Sequence, residues 1–163
     1  MPDGPEANVR YVTFSAGFFL IHLAAYLTAG LVSQTYSAHL YRGEGALLRP
    51  FLRDVARQPE RQRQARIVLP AQLVRAVAMS VVLYPLLEPL GELSYLSRAG
   101  FLAGLMFVYT ALASAVPFPN TIEGVVYLQR RFVTRDAFLR IQSESLLYSL
   151  MFAGFASWLL FPV

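Results

Sequence analysis

Residues 11–33 read YVTFSAGFFLIHLAAYLTAGLVS, an apolar run without a charged side chain. At about 1.5 Å of rise per residue it is long enough to cross the ~30 Å hydrocarbon core of a bilayer as a helix. Backbone amides and carbonyls find no water in lipid, so a spanning segment must satisfy them internally, as an α-helix does. The run is therefore expected to be a transmembrane helix. The preceding Met1–Asn8 carries Asp3 and Glu6 and lacks a basic start, which argues for a retained helix and against a cleaved signal.

Three further stretches follow the same logic. Residues 67–90 (IVLPAQLVRAVAMSVVLYPLLEPL), about 99–116 and about 141–161 are mostly apolar. Pro85 is expected to kink the end of the second stretch and Gly91 to stop it, while Pro117 and Pro119 end the third. Thr134 is placed to cap the fourth, with Asp136 in its first turn. The expected fold class is all-α: an integral membrane four-helix bundle forming a single domain over residues 1–163. The bulk composition agrees, because 56% of the 163 residues are hydrophobic, only 15% are charged, and the mean hydropathy is +0.46. A water-soluble domain of this size needs more polar surface than that.

Arginine placement predicts the orientation. Seven arginines (Arg42, Arg49, Arg53, Arg57, Arg61, Arg63 and Arg66) fall between the first and second stretches, and Arg130, Arg131, Arg135 and Arg140 between the third and fourth. Arg10 and Arg98 lie on the opposite side. The positive-inside rule puts both long connections in the cytoplasm and both termini outside, in a bacterial cytoplasmic membrane. Within the first connection, Leu47, Leu48, Phe51, Leu52 and Val55 share one helical face and Arg49, Arg53 and Arg57 the other. This predicts an additional cytoplasmic amphipathic helix over about 47–57. It either contacts anionic lipid through those arginines or lies on the ends of the spans. The stretch 58–66 is polar and is expected to extend the second helix into the cytoplasm.

Ionisable groups inside lipid are the candidate functional residues, since each isolated charge costs about 2.5–3.5 kcal/mol on insertion scales. Arg75 lies roughly 12 Å along the second helix from its cytoplasmic entry. Glu144 lies at comparable depth in the fourth. An Arg75–Glu144 ion pair is predicted, with Gln72, Gln142 and Asn120 completing its hydrogen bonds. His22 sits mid-span with Tyr26 one turn away. It is either an interhelical hydrogen-bonding group or an axial ligand for haem or a pigment, the one opening for a cofactor. His39 is too far along the helix to share a metal with it. Glu88 is expected to pair with Arg98 across the short turn. Gly100 and Gly104 form a GxxxG that permits close helix approach, as does Gly154.

The run from Leu83, LYPLLEPLGELSYLSRAGFLAGLMF, followed by PFPNTIEGVVYL, with His22 in the first helix and with Glu144 and Gly154 in the fourth, resembles uncharacterised small bacterial membrane proteins with four spans. The resemblance implies the four-span architecture and transfers no activity. Cysteine is absent, which excludes disulfides and thiol chemistry, and no phosphate loop, HExxH or nucleophile elbow is present. The basic loops lack interleaved aromatics, so nucleic acid is not an expected partner. Three functional readings stand open. The first is a non-catalytic accessory or scaffold subunit, packed against other membrane proteins or copies of itself. The others are a small oligomeric carrier or channel built around Arg75 and Glu144, and a membrane enzyme or haem- or pigment-binding protein using His22.

Overall fold

The computed structural model describes residues 5–53 and 57–161, with side chains from residue 8 onward. Six α-helices account for most of them: α1 (Pro5–Tyr41), α2 (Gln58–Leu83), α3 (Leu87–Glu92), α4 (Tyr95–Phe107), α5 (Ile122–Tyr127) and α6 (Arg135–Leu159). A 3-10 turn, Tyr84–Leu86, joins α2 to α3 at Pro85, where the missing amide breaks the α pattern. A π-helical turn, Val108–Leu112, continues α4. No strand occurs among the described residues.

Among the described residues, three helical stretches are long and apolar enough to cross a membrane: Asn8–Tyr41, Gln58–Glu92 and Tyr95–Leu112. The fourth expected span, α6, is long enough at 25 residues. Its first half carries Arg140, Gln142, Ser143, Glu144 and Ser145, and it does not reach the apolarity of those three stretches. The 37 residues of α1 make a rod roughly 55 Å long, well beyond the hydrocarbon thickness. It continues past the expected end at Ser33 because Ser33 and Ser37 turn inward, where they are fully buried.

Neighbouring helices run antiparallel. α6 packs against α1 on one side and α4 on the other, and α2 lies along α1. Phe14, Phe18, Ile21, Ala25 and Ala29 of α1 meet Phe152, Ala153 and Ala156 of α6 and Leu102 and Met106 of α4 in one core. Close van der Waals fit among these side chains holds the helices together. α2 and α4 make no extensive contact with one another. The helices thus touch in the order α2, α1, α6, α4, with a gap between the first and the last.

The ends of the bundle are fastened by polar contacts. At the end carrying the termini, buried Arg98 directs its guanidinium at five carbonyls. Nε donates to Leu90 O (2.7 Å), Nη1 to Ser157 O (3.1 Å) and Phe161 O (2.9 Å), and Nη2 to Gly91 O (3.1 Å) and Leu93 O (2.7 Å). These carbonyls belong to the C-terminal ends of α3 and α6, which have no intrahelical donor and carry the negative pole of each helix. The expected Glu88–Arg98 pair does not form. Arg98 is spent on carbonyls, and Glu88 meets Arg10 at 3.6 Å on the surface.

At the arginine-rich end, Thr134 caps α6 by accepting from the Ala137 amide, as expected. Asp136 accepts from Arg140 Nε (2.6 Å) and is paired with His39 Nε2 (2.9 Å), while Arg140 Nη1 also reaches Tyr36 O. The expected amphipathic helix at 47–57 is a series of turns in its described part. Pro50 has no amide to donate, and only Leu52 N to Leu48 O makes an α-type bond there. Leu48 is fully buried against Leu40, Ala137 and Ile141, and Phe51 meets Phe132 edge to face at 4.9 Å. Leu48, flanked by Leu47, therefore seals the end of the α1/α6 pair, while Phe51 and Leu52 stay exposed. Val55 lies outside the described residues.

Candidate functional site

The gap between α2 and α4 holds a half-enclosed cavity of about 650 Å³. Its floor is formed by His22 and Tyr26 of α1 and by Glu144, Ser145 and Tyr148 of α6. One wall is α2, through Arg75, Ala78, Met79, Val82 and Leu83. The other is α4 and its π turn, through Leu105, Met106, Tyr109 and Thr110, with Ser114 beyond. The extra residue in a π turn rotates the side chains that follow, and such turns recur at binding sites. Here Tyr109 and Thr110, both within the turn, line the cavity edge.

Arg75 and Glu144 both face this cavity, as their equal depth predicts, but they do not form the expected ion pair. Glu144 instead turns its Oε2 toward α1, where Ser33 Oγ donates at 2.6 Å and Tyr41 OH at 3.4 Å. Its Oε1 has no hydrogen bond among the described residues. Arg75 is exposed and makes no hydrogen bond or ion pair among them. The cause is geometric, since α2 packs on α1 and stands across the cavity from α6.

The expected supporting residues are used elsewhere. Gln72 is buried and its Oε1 lies 2.9 Å from His22 Nε2. Gln142 Nε2 donates to the backbone carbonyl of Asn120 at 2.9 Å, joining α6 to the loop before α5, and its own Oε1 is buried without a partner. Neither Gln142 nor Asn120 lines the cavity.

His22 is 1% exposed, and both ring nitrogens are engaged. Gln72 Oε1 can only accept, so Nε2 carries the proton and Nδ1 accepts from the Tyr148 hydroxyl at 2.7 Å. The lone pair that an axial ligand must offer is thus already committed to Tyr148. The geometry favours the interhelical reading over haem or pigment ligation, because this trio ties α1 to α2 and α6 at mid-depth. No group of three metal-ligating side chains occurs among the described residues.

The loop arginines are partly self-satisfied. Arg53 pairs with Glu60 at 2.9 Å and Arg49 reaches the Glu44 carbonyl at 3.4 Å, both at the exposed surface. The glycines also redistribute. A Cβ on Gly100 or Gly104 would meet nothing within 4 Å, so the GxxxG does not mediate close packing inside this chain. Gly154 lies against Tyr95, whose hydroxyl donates to its carbonyl at 3.3 Å. Close packing does require glycine at Gly124, where a Cβ would overlap the Phe118 carbonyl, and a Cβ on Gly17 would press on the Leu160 side chain. The motif PFPNTIEG carries a signal for Gly124: Thr121 Oγ1 accepts from both the Phe118 and Gly124 amides at 3.0 Å, drawing that backbone together.

No protein-family model matches the chain, and neither any curated protein nor any solved structure is significantly similar to it.

Proposed function

We propose that this chain is a small four-span membrane protein, with α6 as the fourth span, that binds a solute in the cavity between α2 and α4 and acts as a carrier. On this reading it lies in a bacterial cytoplasmic membrane with both termini outside and the arginine-rich connections in the cytoplasm. The supporting observation is the open cavity that reaches Arg75, a cation at membrane depth without a hydrogen-bond or ion-pair partner among the described residues. An unpaired charge there is costly to insert, and a purely structural helix has no use for it. The volume, about 650 Å³, is in the range of small-molecule sites.

The test exploits the absence of native cysteine. Ser145→Cys, on the cavity floor, is expected to react in proteoliposomes with a charged, membrane-impermeant thiol reagent. Leu150→Cys, exposed on the outer face of α6, is expected to be shielded by lipid. Equal protection of both positions would remove the wet cavity and the carrier reading with it.

A second reading, the accessory subunit, draws on Gly100 and Gly104, which lie exposed with open space above them. That face of α4 suits a partner helix, from another protein or another copy. Crosslinking through Gly104→Cys in native membranes, with no crosslink expected if lipid covers this face, separates the two readings.

A further inference from the structure

The cavity has a chemical gradient along its length. Arg75 and Glu144 mark one end, with the Ser145 and Ser114 hydroxyls. Going outward along α2, Met79, Val82 and Leu83 follow Arg75 by one and two turns, and Leu105 and Met106 face them from α4. The site is therefore polar at one end and apolar at the other. Thioethers on both walls let the apolar end adapt to side chains or tails of differing shape.

The polar end carries one positive and one negative group, each with unused capacity. Arg75 offers all its donors, and Glu144 keeps Oε1 free while Ser33 and Tyr41 hold Oε2. A ligand with only an acid group would answer Arg75 and be repelled by Glu144. One with only an amine would do the reverse. A molecule bearing both satisfies both ends at once and leaves the cavity neutral, which a low-dielectric setting favours.

Resting on the binding reading above, we infer that the ligand is zwitterionic and amphipathic: an acid group on Arg75, an ammonium group on Glu144, and an apolar body lying toward Met79, Val82 and Met106. A free apolar amino acid and a single-chain zwitterionic lipid share this chemistry. The half-enclosed gap between α2 and α4 admits either, from the aqueous side or sideways from the bilayer.

The experiment is equilibrium binding to the full chain in nanodiscs with radiolabelled probes. One set is L-phenylalanine, 3-phenylpropionate and phenethylamine. The other is lysophosphatidylethanolamine against lysophosphatidic acid. At least one zwitterion is expected to bind about tenfold or more tightly than its analogues that carry charge of one sign only, and the set in which this occurs identifies the source. Arg75→Gln and Glu144→Gln are each expected to erase most of that preference. Equal binding of zwitterion and single-sign analogue, or no binding of either zwitterion, overturns the inference. If Ser145→Cys is labelled in the same preparation, the wet cavity survives that result and only the ligand class falls. If it is not labelled, both fall. Should either glutamine variant fail to fold, the analogue series on the unaltered chain decides alone.

Discussion

Arg75 and Glu144 line one cavity from α2 and α6 without forming an ion pair. Equal depth in a membrane brings two opposite charges to one level, but it does not bring them together. Here α1 stands between their helices as the shared packing partner and supplies Glu144 with Ser33 and Tyr41 as donors. The result is a polar site with its charges held apart, facing space that another molecule can fill.

The His22 trio gives the first prediction. His22→Leu leaves the Tyr148 hydroxyl and the Gln72 amide buried without their shared partner, and each orphaned group costs about 1–3 kcal/mol. The melting temperature in detergent is expected to fall by roughly 5–15 °C. Because the Nδ1 lone pair is already used, the purified protein is expected to show no Soret or pigment band in its visible spectrum. An intense band lost in His22→Leu would reverse this assignment.

Arg98 gives the second. Lysine keeps the charge but has three donors in place of five and no planar fork, so Arg98→Lys leaves at least two of the five carbonyls unanswered. A loss on the order of 2–4 kcal/mol is expected, and Arg98→Ala is expected to cost more. Glu88→Gln, by contrast, touches only a surface pair and is expected to change stability by less than about 0.5 kcal/mol. Comparable losses in Arg98→Lys and Glu88→Gln would show that the carbonyl contacts do not hold α3 and α6 together.

A third prediction concerns pH. The hydrogen bond from Arg140, then that from His39, holds the Asp136 carboxyl below its ordinary value of 3.8. A depressed carboxylate contributes its stabilisation above the unfolded value and loses it as pH falls through the folded one. Hydrogen exchange at the junction of α1 with the start of α6 is expected to quicken below about pH 4, beyond the intrinsic trend. In Asp136→Asn that extra acid sensitivity is expected to vanish. The same acid response in both proteins would place its origin elsewhere.

Much of the helical framework could be read from the sequence, and the reasons for the misses are physical. Apolar runs and stop signals located the long helices, and Thr134 and the polar 58–66 stretch behave as their residue types suggest. Composition could not show that α1 runs on to Tyr41, because Ser33 and Ser37 look like an end until a partner helix buries them. Nor could it distinguish Leu48 lying on lipid from Leu48 sealing the end of α1 and α6. For the candidate site, residue depth was legible and pairing was not. Arg75, Glu144 and His22 do lie around one cavity, yet Gln72 serves His22 and Gln142 serves Asn120, because rotation about each helix axis decides partners. Arg98 resembled an outer-surface charge, and its five carbonyl acceptors carry no signature in side-chain types.

The separation of Arg75 from Glu144 is tested most directly by a double-mutant cycle on melting in detergent, using Arg75→Gln, Glu144→Gln and the double variant. Charges held apart across a shared cavity attract only at long range, so a coupling of at most about 2 kcal/mol is expected. A coupling of about 3 kcal/mol or more, the size of a broken contact pair, would mean that the two charges already satisfy each other, leaving no charged site for a ligand.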